Sequence, residues 1–422
     1  MRWRNWAGTQ RARPARTVVA GDAAAVAEAV TAAARDGLRV TALGSGHSFT
    51  GVGAPDGVAI VAPSDLGLLA MDGDLATVPA GMTLRTLNDL LWHHGRALPN
   101  LGDIDAQTIA GAISTGTHGT GTHHPGLAAQ VRGMEIVLAD GTVERWGPGS
   151  DELRTGRIGL GALGVITSLT LATVPAFHLH AVEETLPLDA ALEVLDGSDD
   201  HAELYWFPHA DVVTAKRNNR TTADGPRRSR RAEWLGDELL GNAGFAALCR
   251  VGEAAPRLVP VLNRFAAARF AAGVYIDRSY RVFTSPRRVR FVEMEYAVAC
   301  EALPEAFAAV RRAAQRHAQE VTFPVEVRIA AGDDIPLSTA YRRDSAYLAV
   351  HVRRGRPHEA YFAAVEDAML ALDGRPHWGK LHGLDAAALR ERHPGVARFT
   401  ALRDRLDPER RFANAYRERV LG

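Results

Sequence analysis

Leu38-Arg39-Val40-Thr41-Ala42-Leu43-Gly44-Ser45-Gly46-His47-Ser48-Phe49 joins a strand-like run to a glycine-flanked histidine, and its reading decides how the first part of the chain folds. Small residues on both sides of such a turn let backbone amides come close to a diphosphate, and the single imidazole at the tip is placed to touch what binds there. Upstream, residues 22–37 predict a helix, with Asp22 as N-cap, Val26, Ala29, Val30 and Ala33 on one face, and Gly37 as the stop. Downstream, strands are expected at Val58-Ala59-Ile60-Val61 and Ala76-Thr77-Val78, then a helix from near Thr83 with Leu84, Leu87 and Leu91 on one side. This alternation points to an α+β or α/β module.

Two further glycine-rich segments follow. Ile109-Ala110-Gly111-Ala112-Ile113-Ser114-Thr115-Gly116-Thr117-His118-Gly119-Thr120-Gly121 holds four glycines in the eleven residues 111–121 and no acid, Lys or Arg. It reads as poor helix and as too apolar for a surface loop, so it is expected to be backbone lying against a buried ligand. Gly159-Leu160-Gly161-Ala162-Leu163-Gly164-Val165-Ile166-Thr167 then runs into the β-rich Ser168-Leu169-Thr170-Leu171. Three such loops imply one extended, phosphate-containing cofactor. None matches the dinucleotide fingerprint Gly-x-Gly-x-x-Gly or the phosphate loop ending in Gly-Lys-Ser/Thr, which sets aside a nicotinamide enzyme and a nucleotide triphosphatase.

Composition narrows the class further. The 422 residues allow two domains, and 49 basic against 49 acidic residues offer no electrostatic reason for nucleic acid or an anionic membrane as partner. Cys249 and Cys300 are too few for a disulfide framework and read as reduced core residues. No run of about 18 apolar residues occurs, and the Arg-interrupted N-terminus lacks a signal-peptide core, so the expectation is a cytoplasmic protein without a spanning helix. Composition shifts near Pro175 to Phe177. A first domain is therefore drawn at 1–177 and a strand-and-helix second domain at 178–375, with an amphipathic helix near 303–318. Residues 376–422 form a helical return, anchored by Trp378, Phe399 and Phe412. The run Arg227-Arg228-Ser229-Arg230-Arg231 reads as a solvated loop rather than a nucleic-acid patch.

Polar residues in the second domain carry the chemistry. In Phe323-Pro324-Val325-Glu326-Val327-Arg328-Ile329-Ala330 a strand would put Glu326 and Arg328 on one face, and such a buried pair is costly unless paired or used. A structural ion pair and a clamp on a polyhydroxy substrate both remain open. Lys380, in His377-Trp378-Gly379-Lys380, is a candidate positioned charge. His351 is balanced between a pocket residue and a core histidine, and His377 reads as the more structural of the two.

Taken in order, Gly44–Phe49, Thr117-His118-Gly119-Thr120-Gly121, Gly161–Thr167 and Arg375-Pro376-His377-Trp378-Gly379-Lys380 resemble the vanillyl-alcohol oxidase type of FAD enzyme. Within it the chain is similar to the sugar-alcohol and aldonolactone oxidase branch. The resemblance implies an α+β, two-domain flavoprotein: a PCMH-type FAD-binding domain, an α+β substrate (cap) domain over 178–375, and a C-terminal segment closing the active site. It implies FAD attached covalently through His47, held by Gly44, Ser45, Gly46, Ser48, Phe49, Gly102, Ser114, Gly116, Thr117, His118, Gly119, Gly121, Gly164, Val165, Ile166, His377 and Lys380. Glu326, Arg328, Lys380 and His351 become the catalytic set, with no metal. The implied reaction is hydride transfer from a secondary alcohol to flavin N5, with reoxidation by O2 or another acceptor; Gly102 would leave oxygen a path. Arg353 and Asp103 stand where alditol oxidases carry small hydroxyl residues. The substrate is therefore expected to be an aldono-1,4-lactone (L-gulono- or D-arabinono-1,4-lactone), the alternatives being a linear polyol or a non-catalytic flavin carrier.

Overall fold

The computed structural model describes residues 2–64, 67–223, 225, 243–269, 273–285, 287–317 and 321–422; the run Arg227–Arg231 lies outside them. Strands β1 (Arg16–Val19), β2 (Val40–Leu43) and β3 (Val58–Val61) form a parallel sheet in the order β1-β3-β2. Parallel strands need a crossover, and helix α1 (Ala23–Arg35) supplies it between β1 and β2. The Asp22 side chain accepts from the Ala25 amide at 2.8 Å to start this helix, and Gly37, at φ +66°, ends it. Its stripe of Val26, Ala29, Val30 and Ala33 packs on Val40, Val58 and Ile60, as the apolar spacing requires.

Beside it stands an antiparallel sheet of β4 (Ala70–Asp72), β5 (Leu75–Pro79), β6 (Val131–Val137), β7 (Val143–Trp146) and β8 (Val165–Ala172), ordered β7-β6-β8-β5-β4. Helix α2 (Leu84–His93), capped by Thr83, buries Leu84, Leu87 and Leu91. One expectation fails here. Residues 109–114 of the second glycine segment do form a helix, α3 (Ile109–Ser114), whose N-cap Thr108 accepts from the Gly111 amide at 3.2 Å. Burial of Ile109, Ala112 and Ile113 compensates for the poor propensity of Gly111.

From His178 the chain builds an eight-stranded antiparallel sheet. It comprises β9 (His178–Pro187), β10 (His201–Trp206), β11 (Val212–Thr221), β12 (Gly273–Arg278), β13 (Phe291–Ala299), β14 (Val325–Ala330), β15 (Ser345–Arg353) and β16 (Arg375–Pro376). Their order is β12-β9-β11-β10-β14-β15-β13-β16. Helices α4 (Leu303–Arg316) and α5 (Glu359–Leu370) cover one face. The period-2 alternation of strands sorts the consecutive strands β10, β14, β15 and β13: Leu204, Val292, Met294, Val327, Leu348 and Val350 enter the core under those helices. The residues between them, Glu203, Tyr205, Glu293, Glu295, Glu326, Arg328, Tyr347 and His351, lie on the opposite face.

The helical return runs back to the first half of the chain. Trp378, Phe399, Leu402, Tyr416 and Val420 share one core with Leu84, Leu87, Ile113 and Leu169. In α6 (Ala415–Leu421) and its cap, Asn414 Nδ2 donates to Gly51 O and Ala54 O, each at 3.0 Å, and the Arg417 guanidinium donates to Leu160 O at 2.7 Å and Val52 O at 3.0 Å. Among the described residues no helix is long and apolar enough to cross a membrane.

Candidate active site

One cleft is lined from both smaller sheets, and the turn after β2 forms part of its wall. Gly44, Ser45, Gly46, His47 and Ser48 line it, with Ser114, Gly161, Gly164 and Ile166 from the second and third glycine segments. Among the described residues the amides of Ser45, Gly46, His47 and Ser48 donate to no protein acceptor, so four N–H groups are left for an anion. Gly46 sits at φ +69°, where a side chain would be strained. At Gly44 a Cβ would meet Thr108 Oγ1 at 2.7 Å, and at Gly161 the Arg417 guanidinium at 2.6 Å; these glycines let neighbouring segments close up beneath the cleft. His47 Nδ1 is buried without a hydrogen-bond partner, while the ring stacks on Trp6 with centroids 5.7 Å apart. Burial, and secondarily Lys380, lowers the His47 pKa, so the imidazole is neutral. Free amides over small residues and an unpartnered neutral imidazole fit a diphosphate-bearing flavin.

Other expected residues sit elsewhere. Val165 turns into the core under α1, while its neighbours Gly164 and Ile166 reach the cleft. Gly119 is needed by the crossing of chain segments: a Cβ there would collide with Asn100 Oδ1 and Leu101 O. Gly121, at φ +125°, docks on β14 through a 2.8 Å bond from its amide to Ile329 O. Gly102 faces protein, 2.9 Å from Thr117 Cγ2 on adding a Cβ, and Gly116 takes φ +79° at the end of α3. The second glycine segment thus carries its chain from the cleft across to the eight-stranded sheet.

There it meets the polar face. Arg328 is wedged between two acids, bonding Glu203 Oε2 through Nε at 2.8 Å and pairing with Glu326 through Nη2. The β10–β14 register sets Glu203 opposite Arg328 and Tyr205 opposite Glu326, so the triad follows from strand alignment. Lys216 adds a second cation, 3.4 Å from Glu203. Burial raises the Glu326 pKa, with help from Glu203 and Asp103 and against Arg328, which makes it the most proton-hungry acid of the group. Asp103 is held by Arg287 and by Ser285 Oγ at 2.8 Å; burial pushes its pKa up, but Arg287 and Arg328 outweigh this and bring it to about 2.

A second cluster lies along β13. Lys380 pairs with Glu293, which stands opposite His351 in the ladder with His351 Nε2 at 3.5 Å; His351 Nδ1 faces Pro324 O at 3.0 Å. Glu295 takes His118 Nε2 at 3.2 Å, and His118 stacks on Tyr347 with centroids 3.7 Å apart. Buried His377 closes the group and is kept neutral: burial outweighs the attraction of Glu295 and lowers its pKa to about 4. His118, Glu295 and His377 could hold a cation, but the direct His118–Glu295 bond already satisfies the pair. Lys380 also lies 5.2 Å from the Phe49 ring centroid, and the Phe49 amide donates to Gly379 O at 2.7 Å, so this cluster adjoins the His47 turn. Arg353, in contrast, pairs with Glu253 and leaves the cluster.

The structure sets Glu326 and Arg328 beside Glu203, Lys216 and the Asp103–Arg287 pair, and Lys380 and His351 beside Glu293 and Glu295, five of which (Glu203, Glu293, Glu295, Lys216 and Arg287) the sequence alone did not single out. A usable signal exists in Phe291-Val292-Glu293-Met294-Glu295-Tyr296, where acids alternate with large apolar residues: a strand whose other face is fully buried has no solvent side, so its acids must meet cations.

Residues 169–420 match the family described as D-arabinono-1,4-lactone oxidase, and residues 14–147 match the FAD binding domain family. The chain is 42% identical over 425 residues to L-gulono-1,4-lactone dehydrogenase of Mycobacterium tuberculosis, covering 100% of this chain and 99% of that protein. It is 33% identical to L-gulonolactone oxidase of Bos taurus, over 100% and 98% of the two chains. To alditol oxidase of a Streptomyces species it is 32% identical, over 92% of each. Among solved structures it is similar to a solvent-stable cholesterol oxidase, with TM-score 0.85 at 17% identity over 100% and 97% of the chains; this is a likeness of fold.

Proposed function

The chain belongs to the D-arabinono-1,4-lactone oxidase family, and on that premise we propose that it is an FAD-dependent oxidoreductase converting the secondary alcohol of an aldono-1,4-lactone to a ketone. The observation that carries this is the buried Glu203–Arg328–Glu326 triad on the sheet face opposite α4 and α5, in a chain whose other half presents a glycine-walled cleft. Bound FAD supplies the hydride acceptor. Ser45–Ser48 would hold its diphosphate through their four free amides, and His47, with Nδ1 unpartnered, would be its covalent anchor. Arg328 donates to the substrate's oxygens, its guanidinium fixed by two carboxylates so that little freedom is lost on binding. Glu326 takes the hydroxyl proton, since burial raises its proton affinity. Lys380, held cationic because Glu293 and Glu295 overcome the effect of burial, places positive charge beside the His47 turn and offsets negative charge accumulating there. The free thiols of Cys249 and Cys300 accord with a cytoplasmic protein.

A polyol is the poorer candidate. The chain is 42% identical to the lactone dehydrogenase against 32% to the alditol oxidase, and Asp103, locked by Arg287 and Ser285, stands where alditol oxidases carry a small hydroxyl residue. Anaerobic bleaching of the flavin by a panel of L-gulono-, D-arabinono- and L-galactono-1,4-lactones against xylitol and sorbitol tests the reading. Bleaching by a lactone alone is expected; bleaching by alditols alone would overturn it. For the anchor, acid precipitation should leave yellow colour on the native chain and none on His47→Ala. A colourless native pellet would remove the covalent assignment.

A further inference from the structure

A second concavity opens outside the cleft, at the ends of β13 and β15, and five arginines wall it: Arg250, Arg288, Arg290, Arg353 and Arg354. Arg353 is paired with Glu253. Arg250, Arg290 and Arg354 have no carboxylate partner among the described residues, and Arg250 and Arg290 are exposed. Like charges gathered around one hollow repel each other, and guanidinium forks suit carboxylate, phosphate or another polyanion. Among the described residues the triad and β13 clusters pair Arg328, Lys216 and Lys380 with acids, whereas Arg250, Arg290 and Arg354 meet no acid.

Its position gives the anion a task. Arg290 directly precedes Phe291, and Arg353 stands opposite Phe291 in the β13–β15 ladder. Phe291 meets Trp6 edge-on at 5.3 Å, and Trp6 stacks on His47 at 5.7 Å. The Arg354 guanidinium covers Gly8, two residues beyond Trp6, within 3.0 Å of where a Cβ would stand. The arginines therefore surround the outer end of an aromatic bridge whose inner end is the residue assigned as the FAD anchor.

We propose that this arginine pocket docks an anionic electron acceptor, which collects there the electrons released by substrate oxidation. The proposal rests on the flavin oxidoreductase reading above. Each alcohol oxidised to a ketone yields two electrons and two protons. Two ferricyanide ions, one electron each, leave as two ferrocyanide ions while the protons pass to buffer.

The test measures lactone turnover with two acceptors, anionic ferricyanide and neutral p-benzoquinone, in the native protein and in the double variant Arg250→Glu/Arg290→Glu. The native kcat/KM for ferricyanide should fall about tenfold between low and high salt, and the variant should lose about tenfold or more at low salt together with that salt dependence. Turnover with p-benzoquinone should stay within about twofold in both proteins at every salt concentration. Arg250→Gln/Arg290→Gln should fall between. An unchanged ferricyanide constant, or an equal loss with both acceptors, overturns the pocket's role. Native protein that turns over lactone with neither acceptor, though lactone bleaches its flavin, also overturns the pocket's role; a flavin that no lactone bleaches overturns the oxidoreductase reading itself, a result distinguishable because it needs no variant.

Discussion

Arg328→Met is expected to cost about 3–5 kcal/mol of stability and to lower lactone turnover on the order of 100- to 1000-fold, because it leaves Glu203 and Glu326 buried face to face without their shared cation. Burial drives both acids toward the protonated form, and for Glu203 Arg328 is the largest influence opposing it. The variant should therefore take up protons near neutral pH where the native protein does not. Urea denaturation at pH 7, with single-turnover bleaching of the folded fraction, separates the two losses. A variant of native stability and native bleaching rate would reduce the triad to packing. Double substitution of Glu203 and Glu326 to Gln on the same background should restore part of the stability and none of the turnover.

Lys380→Met should be comparably damaging, and its pH signature is distinct. Burial pushes Glu293 up, but Lys380 and then His351 outweigh it and bring the pKa to about 2. A carboxyl depressed in the folded state contributes stability that is present above its unfolded value of about 4.3 and lost as pH falls toward 2. Without the ammonium this contribution disappears. The stability gap between native protein and variant should be widest near pH 7 and close steadily below pH 4, when protonation removes the same interaction from the native chain. Denaturation curves at half-unit steps from pH 3 to 8 read this directly; a gap independent of pH would mean that Lys380 acts through packing alone.

Both predictions concern residues visible in the sequence to different degrees. The parallel βαβ unit was legible because its signals are local: Asp22 caps, Gly37 stops, and Val26 to Ala33 repeat at helical spacing. The His47 turn was legible for the same reason, since close backbone approach leaves a trace in composition. Helix α3 was misread because propensity counted against it while burial of Ile109, Ala112 and Ile113 decided for it. Arg328 could be singled out but its partner Glu203 could not: they are 125 residues apart and meet only through the β10–β14 register. Gly119 and Gly121, read as cofactor contacts, owe their small size at least as much to Asn100, Leu101 and Asp200 pressing against them.

The helical return also ties the glycine cleft to residues more than 200 positions downstream. Lys380 adjoins the His47 turn on a segment whose Trp378, Phe399 and Tyr416 share one core with Leu84, Leu87, Ile113 and Leu169, some 200 or more positions earlier. Asn414 and Arg417, within nine residues of the end, tie down the carbonyls of Gly51, Val52 and Leu160. Such contacts span 257 to 365 residues, and contacts of high sequence separation form at a large cost in loop-closure entropy. The shape of the glycine cleft is therefore governed from the far side of the sequence, by residues outside all three glycine-rich segments.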